Sequence, residues 1–357
     1  MYLYFCKRIL LIFPTLFLIM FLNFLIIQTA PGGPVERFIS QINHTNVSGE
    51  ISNNNIEKNI FSNISNLKYQ GSQGIDKDIL IKIEKLYGFD LPISQRFFLM
   101  MKKFLTFDFG NSFFQDEKII DLILQKLPVS LSLGLWTTLL IYLISIPLGI
   151  KKAIMDGTKF DLWSSSIIIF LHAIPAFLLA IFLMILFCGG NFLNVFPLRG
   201  LSSDNFSELS FFSKIIDYFW HIFLPIIAIV VGGFASLTFF CKNSFIEEIR
   251  KNYVITAYAK GLSQNQVLYR HVFRNALLIV LANLPSVLIA IFFTSSMLIE
   301  IIFSLDGLGL LTYEAMVNRD YSLIFATLFI FSLIALICNI LTDFIYQLID
   351  PRINFNK

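Results

Sequence analysis

Charge is the scarcest commodity in this sequence. Only 14% of its 357 residues are Asp, Glu, Lys or Arg, where soluble globular proteins carry roughly 25%. With 56% hydrophobic residues, forty Phe and a mean hydropathy of +0.73, that shortage excludes an ordinary soluble domain and points to a chain dissolved in lipid. Phosphate-binding chemistry is missing too. No Gly is followed by Lys anywhere, so there is no G-x-x-x-x-G-K-[ST] loop and no ATP hydrolysis by that route. No G-x-S-x-G, H-E-x-x-H or paired-carboxylate motif falls within an apolar segment, which leaves an intramembrane enzyme without a catalytic constellation. Cys6, Cys188, Cys241 and Cys338 have no paired spacing and lie in or beside apolar segments, so they read as buried reduced thiols. No His/Asp/Glu/Cys cluster suggests a metal, no cofactor is implied, and a net charge of +3 makes no nucleic-acid footprint.

What is present is a set of long apolar runs. A bilayer core takes about 20 apolar residues per helix. Six segments qualify, near 9–30, 129–150, 163–188, 220–240, 277–299 and 322–346. The first follows Lys7 and Arg8 but is too long for a signal peptide and lacks a small-x-small cleavage pattern, so it reads as an uncleaved helix. Lys and Arg concentrate on one face, at 7–8, 151–159, 242–274 and 352–357, which places both termini and the 252–276 loop in the cytoplasm. The expected organisation is a first span (1–30), an external segment (31–127; irregular over 40–75, helical over 76–127), a five-helix core (128–350) with a cytoplasmic loop at 241–276, and a tail (351–357).

Within 76–127, Asp76, Ser94 and Asp116 are placed to cap three helices, the last ending before Pro128. Phe97, Phe98, Phe104 and Phe107 with Lys102 and Lys103 suit either a helix at the membrane surface or packing onto neighbouring spans. Pro147, Pro175, Pro225 and Pro285 lie in or near spans, where proline tends to kink a helix. Ionisable groups inside the spans are few: His172 mid-span, Glu300 and Asp343 near span ends. A carrier driven by ions needs a relay of such groups. A lone His beside Pro175 is more often a helix-to-helix hydrogen-bonding residue. A secondary transporter or channel acting alone is therefore the weaker alternative, and the energy source is expected outside this chain.

The polar island Asn252–Ala276 is where such a source would act. Lys242 to Lys260 can continue as helix out of the fourth span. Gly261 supplies the left-handed stop, and Ser263 with Gln266 forms an S-x-x-Q capping box that starts a second helix. Two short helices at a glycine corner make a rigid knob. The small residues Ala257, Ala259 and Gly261 would let a partner approach closely.

Here the sequence resembles a known family. Tyr253-Val254-x-Thr256-Ala257-x-Ala259-Lys260-Gly261-Leu262-Ser263, then Arg270-His271-x-x-Arg274-Asn275-Ala276, is similar to the cytoplasmic signature of permease subunits of bacterial ABC importers for dipeptides and oligopeptides. Tyr87-Gly88-Phe89-Asp90, Asp108-Phe109-Gly110-Asn111-Ser112, Leu127-Pro128-Val129-Ser130, Phe303-Ser304-Leu305-x-Gly307-Leu308-Gly309, Arg319-Asp320-Tyr321 and Asp350-Pro351-Arg352-Ile353 match other family segments in order. Ala30-Pro31-Gly32-Gly33-Pro34 and Phe196-Pro197-Leu198-Arg199-Gly200 look most like the B-type permease of the microcin C and oligopeptide (Yej-type) branch. Many relatives carry Arg at the positions of Ile255 and Tyr258, and the acidic residue opening this loop motif in other ABC importers is absent.

The resemblance implies an all-α, six-span permease of the type I ABC importer fold, without catalytic residues of its own. Implied partners are a second homologous permease, a cytoplasmic ATPase, a periplasmic solute-binding protein and a peptide substrate. The ATPase-coupling set is Tyr253, Thr256, Ala257, Ala259, Lys260, Gly261, Leu262, Ser263, Arg270, His271, Arg274 and Asn275. Gly307, Gly309, Arg319 and Asp320 are candidate contacts on the external face.

Overall fold

The computed structural model of the protein describes residues 2–29, 91–112, 115, 117–189, 192–281 and 296–349. Among these there is no strand and there are twelve α-helices. They are α1 Tyr2–Thr29, α2 Ile93–Leu105, α3 Ile119–Ile154, α4 Lys159–His172, α5 Ala176–Phe187, α6 Phe211–Ile249, α7 Asn252–Ala259, α8 Gln264–Val267, α9 Phe273–Leu281, α10 Ser296–Ile302, α11 Leu308–Asn318 and α12 Tyr321–Ile349. Four stretches are long and apolar enough to cross a membrane, at Cys6–Gln28, Ile119–Ile154, Phe211–Ile249 and Tyr321–Leu341. The pair α4 and α5 makes a fifth candidate, bent by 84°. The fifth apolar run from the sequence, 277–299, lies mostly outside the described residues, as do the Asp76 and Asp116 caps, the irregular 40–75 stretch and the tail.

Three local expectations change. The helix ending before Pro128 and the span after it are one helix, α3, which carries Pro128 and Pro147 inside it. At 1.5 Å per residue it is about 54 Å long, and losing one hydrogen bond at each proline does not interrupt it. Pro225 likewise sits within the continuous α6. Ser94 is inside α2, which is capped by Pro92, whose carbonyl accepts from Arg96 N–H at 3.0 Å. Pro175 is the proline that breaks a span. Its ψ of 133° is extended and it becomes the N-cap of α5, which follows from a φ fixed by the ring and a missing donor.

The chain divides into two compact units. One comprises 7–126 and 311–334, and its core is aromatic. Phe97 of α2 meets Phe21 and Phe24 of α1 with ring centroids 5.4 and 5.3 Å apart, and Phe104 meets Phe109 and Phe329 at 4.9 and 5.7 Å. Packing on neighbouring spans therefore accounts for Phe97 and Phe104, while Phe98 and Phe107 stay exposed.

The other unit comprises 1–6, 127–310 and 335–357 and holds the polar loop. α6 is its central element, packing on α4, α5 and α9. The α3–α6 contact uses small residues. A side chain on Gly149 would begin 2.7 Å from Cys241 Cβ, and one on Gly233 would begin 2.8 Å from Ile141 Cδ1. Ser145 Oγ donates to the Phe234 carbonyl at 2.9 Å across the same contact. Close backbone approach through small residues substitutes in lipid for the hydrophobic drive that operates in water.

Candidate functional site: a rigid corner at the end of a long helix

α6 does not run on to Lys260 as its composition allows. It stops at Ile249, and Lys251 is extended with ψ 149° before α7 begins at Asn252. No Gly or Pro marks this break. Its cause is Glu248, 2% exposed, whose carboxylate accepts from Lys251 Nζ and, at 2.8 Å, from Tyr253 Oη. Asn275 Nδ2 of α9 donates to the same hydroxyl at 3.3 Å. One buried carboxylate thus ties the end of α6 to both arms of the loop. Burial first, with Glu248 adding and Asn275 opposing, pushes the Tyr253 phenol up to about 12, so it remains a donor at neutral pH.

The corner then forms as its residues direct. Gly261 has φ +82°, in the left-handed region where a Cβ is penalised. Its N–H donates to the Tyr258 carbonyl at 2.9 Å. The Ser263 N–H donates to Gln266 Oε1 at 3.0 Å, and the capping box is complete. The second helix departs from expectation after one turn. Leu268–Val272 is a π turn before α9 resumes. Such insertions are frequent at functional sites, and this one holds Tyr269, Arg270 and His271.

The apolar ridge of the knob faces inward. Val254, Ala257, Val267, Leu268, Val272 and Ala276 are all buried in the core of their unit. Ala257, expected on the partner-facing surface, is 5% exposed and packs against its own chain, because it shares a helix face with Val254 three residues earlier. The outward face consists of Ile255, Tyr258, Ala259, Lys260, Gly261 and Ser263, with Tyr269, Arg270, His271 and Arg274 alongside. Ile255 and Tyr269 are each 62% exposed. Thr256 is exposed and bonded back to the Asn252 carbonyl at 3.1 Å, and Leu262 is half-buried. Tyr253 is half-buried in the clamp, and Asn275, itself exposed, bonds to it from α9, so both shape the knob. Replacing Tyr253 with Phe removes a hydrogen bond to a buried carboxylate, a loss of about 1.5–3 kcal/mol. The expected result is faster hydrogen–deuterium exchange across α7, residues 252–259, with α6 unchanged.

The external-face candidates are also mostly interior. Gly307 and Gly309 are buried. Their space is filled by Glu300, which is 0% exposed, accepts from Ser130 Oγ at 2.8 Å and Leu310 N–H at 2.9 Å, and lies beside a Leu308 N–H that donates to Ser130 Oγ. In the aromatic unit, Asp320 is 1% exposed and accepts from Ser112 Oγ at 2.8 Å and Leu323 N–H at 3.2 Å, while Arg319 is half-buried at φ +56°. Gly307, Gly309 and Asp320 therefore set turn geometry and offer no contact surface.

Sequence reasoning missed Glu248, and it missed a charge cluster around Asp161. Lys152 and Lys242 read only as topology markers in the sequence. In the structure Lys152 is wholly buried with Nζ 2.9 Å from Asp161 Oδ1, and Lys242 Nζ lies 2.7 Å from Asp161 Oδ2. His172 Nδ1 lies 3.0 Å from the Gly232 carbonyl, the helix-to-helix bond expected of it.

The fold is that of a helical membrane protein with a clamped polar knob at the end of α6. The sequence profile of the binding-protein-dependent transport system inner membrane component family matches residues 145–355, more than half of the chain, and the chain belongs to that family. It is 51% identical over 99% of its length, and 98% of the relative's, to the inner membrane ABC transporter permease protein YejB of Escherichia coli O157:H7. It is 53% identical over the same shares to the peptidoglycan transport system permease protein YejB of Agrobacterium fabrum. The oligopeptide transport system permease protein OppB of Salmonella typhimurium is 28% identical over 98% of each chain. Among solved structures, a chain of the inward-facing MetNI methionine ABC transporter aligns with TM-score 0.49 at 15% identity, over 65% of this chain and 97% of that one. The protein is thus a non-catalytic ABC importer permease; ATP hydrolysis belongs to a separate subunit.

Proposed function

We propose that this permease forms half of a translocation path for oligopeptides or peptide-like compounds of the microcin C type, the other half being a second homologous permease. A periplasmic solute-binding protein delivers substrate. A cytoplasmic ATPase receives the outward face of the 252–276 corner, and both termini lie on that cytoplasmic side. ATP-driven closure of the ATPase displaces the corner and shifts the helix bundle between two packings. The observation that carries this reading is the pairing of a rigid internal clamp (Glu248, Tyr253, Asn275) with an exposed face of Ile255, Tyr258, Lys260 and Gly261. A mechanical input site has to be stiff behind and sticky in front. The peptide assignment is supported by two of the relatives, one a peptidoglycan and one an oligopeptide transport system permease.

The test is co-purification of the tagged permease with the products of neighbouring transport genes, followed by ATPase assay in nanodiscs. The expected outcome is a complex of two permeases and an ATPase whose hydrolysis rises when its binding protein is added. A permease that purifies without any ATPase, or a complex indifferent to the binding protein, overturns the proposal.

A further inference from the structure

The Asp161 cluster is too costly to be there for stability alone. Lys152 Nζ is completely enclosed and faces four oxygens: Asp161 Oδ1 at 2.9 Å, the Asp161 carbonyl at 3.0 Å, Ser164 Oγ at 2.8 Å and Ser165 Oγ at 2.7 Å. These exceed the three N–H donors of an ammonium. The cation also sits in the first turns of α4, against the sense of that helix's dipole, so the arrangement depends on the Asp161 carboxylate. The other oxygen of that carboxylate takes Lys242 of α6 at 2.7 Å and the Gly157 N–H at 3.3 Å, and Lys242 also reaches Asp156 Oδ1 at 2.9 Å. Buried ion pairs seldom stabilise more than apolar side chains of the same volume. What they do is enforce one geometry, here the register of α4 against α6.

Position gives that register a consequence. Lys242 lies two turns before the end of α6, and Glu248, one and a half turns further on, grips Tyr253 of the corner. Eleven residues along α4 from Asp161, His172 Nδ1 meets the Gly232 carbonyl of α6 at 3.0 Å. α4 and α6 are therefore joined by polar contacts at both ends of their overlap. The break at Ala173–Pro175 and the 84° bend into α5 follow directly after the second contact.

We infer that Asp161 is a positioning residue for transport: by holding Lys152 and Lys242 together it makes α4 and α6 one strut, so that displacement of the 252–276 corner arrives at the Pro175 break. This rests on the reading of the corner as the ATPase contact.

The test uses the assembled complex in nanodiscs, with Mg-ATP alone and with the binding protein added, read as the ratio of stimulated to basal hydrolysis. Asp161→Asn should lower that ratio about fivefold with basal hydrolysis per assembled complex unchanged, although the yield of complex falls because Lys152 is left buried without its anion. Lys242→Met, which alters a partly accessible side chain and spares Lys152, should lower the ratio similarly. The double variant should be no worse than either alone, since the same link is broken. A Gly261→Val arm probes the corner itself. A wild-type ratio in Asp161→Asn and Lys242→Met alongside a reduced one in Gly261→Val overturns the strut and leaves the corner reading standing. So do lower yield and thermal midpoint without a change of ratio, because they mark a merely structural role. A wild-type ratio in Gly261→Val removes the corner reading and the strut with it.

Discussion

Gly261→Val leaves the permease in the membrane but removes stimulation of ATP hydrolysis by the binding protein. The reason is backbone conformation alone. Gly261 sits at φ +82°, and a Cβ there would meet nothing within 4 Å, so no clash disturbs the rest of the unit. A side chain in the left-handed region costs about 1–2 kcal/mol, and a β-branched one more. That strain is a factor of about 5 to 30 against the observed corner. Lys260 to Ser263 would relax into another turn and carry the exposed Ile255 and Tyr258 away from their partner. Asn tolerates this region, so Gly261→Asn should retain most of the stimulation. Quantitative blotting of membranes checks insertion, and ATPase assay with binding protein checks coupling. Full stimulation in the Val variant would remove the corner from the coupling mechanism.

Gly307→Ala should instead destabilise the protein. A methyl group there would lie 2.5 Å from Glu300 Oε2, 2.6 Å from its Cδ and 2.7 Å from Ser130 Oγ. Glu300 is fully buried and cannot swing into solvent. Either the backbone moves or the carboxylate releases the Ser130 hydroxyl and the Leu310 N–H. Overpacking costs about 1–3 kcal/mol, and each buried donor left unsatisfied costs a further 1–3, roughly. The thermal midpoint of the 127–310 unit in detergent should fall by about 10 °C, taking roughly 2–4 °C per kcal/mol for a cooperative unit of roughly 150–250 residues. An unchanged midpoint would mean that the 303–310 turn is free to rearrange around Glu300.

The two glycines look alike in sequence, each a small residue inside a motif, yet they answer to different constraints. The role of Gly261 was legible because it depends on its own φ and on neighbours within five residues, the Tyr258 carbonyl and the Ser263–Gln266 box. Gly307 depends on a carboxylate seven residues earlier and on a serine 177 residues earlier, which no local pattern encodes. The same division runs through the loop. Its corner and its cap follow from local rules. The break at Arg250–Lys251 does not, since it is made by Glu248 meeting Tyr253 and Asn275, and Asn275 comes from the far arm.

Composition and hydropathy by themselves determined that this is a membrane chain, where the four spanning helices among the described residues lie, and that it has no phosphate loop of the G-x-x-x-x-G-K-[ST] kind. Those are properties of residue sums and short periods, and burial in lipid selects for them directly. Only the tertiary structure decided which prolines interrupt a span, which small residues face outward, and that Lys152, Asp161 and Lys242 are partners. Pro128, Pro147 and Pro225 stay within helices, whereas Pro175 caps one, and local sequence does not separate them. Charges at the ends of apolar runs look alike until the helices that carry them are placed side by side. Asp161 acquires its two lysines only where α3, α4 and α6 converge, because the energy of an ion pair depends on separation and burial and neither is written along the chain.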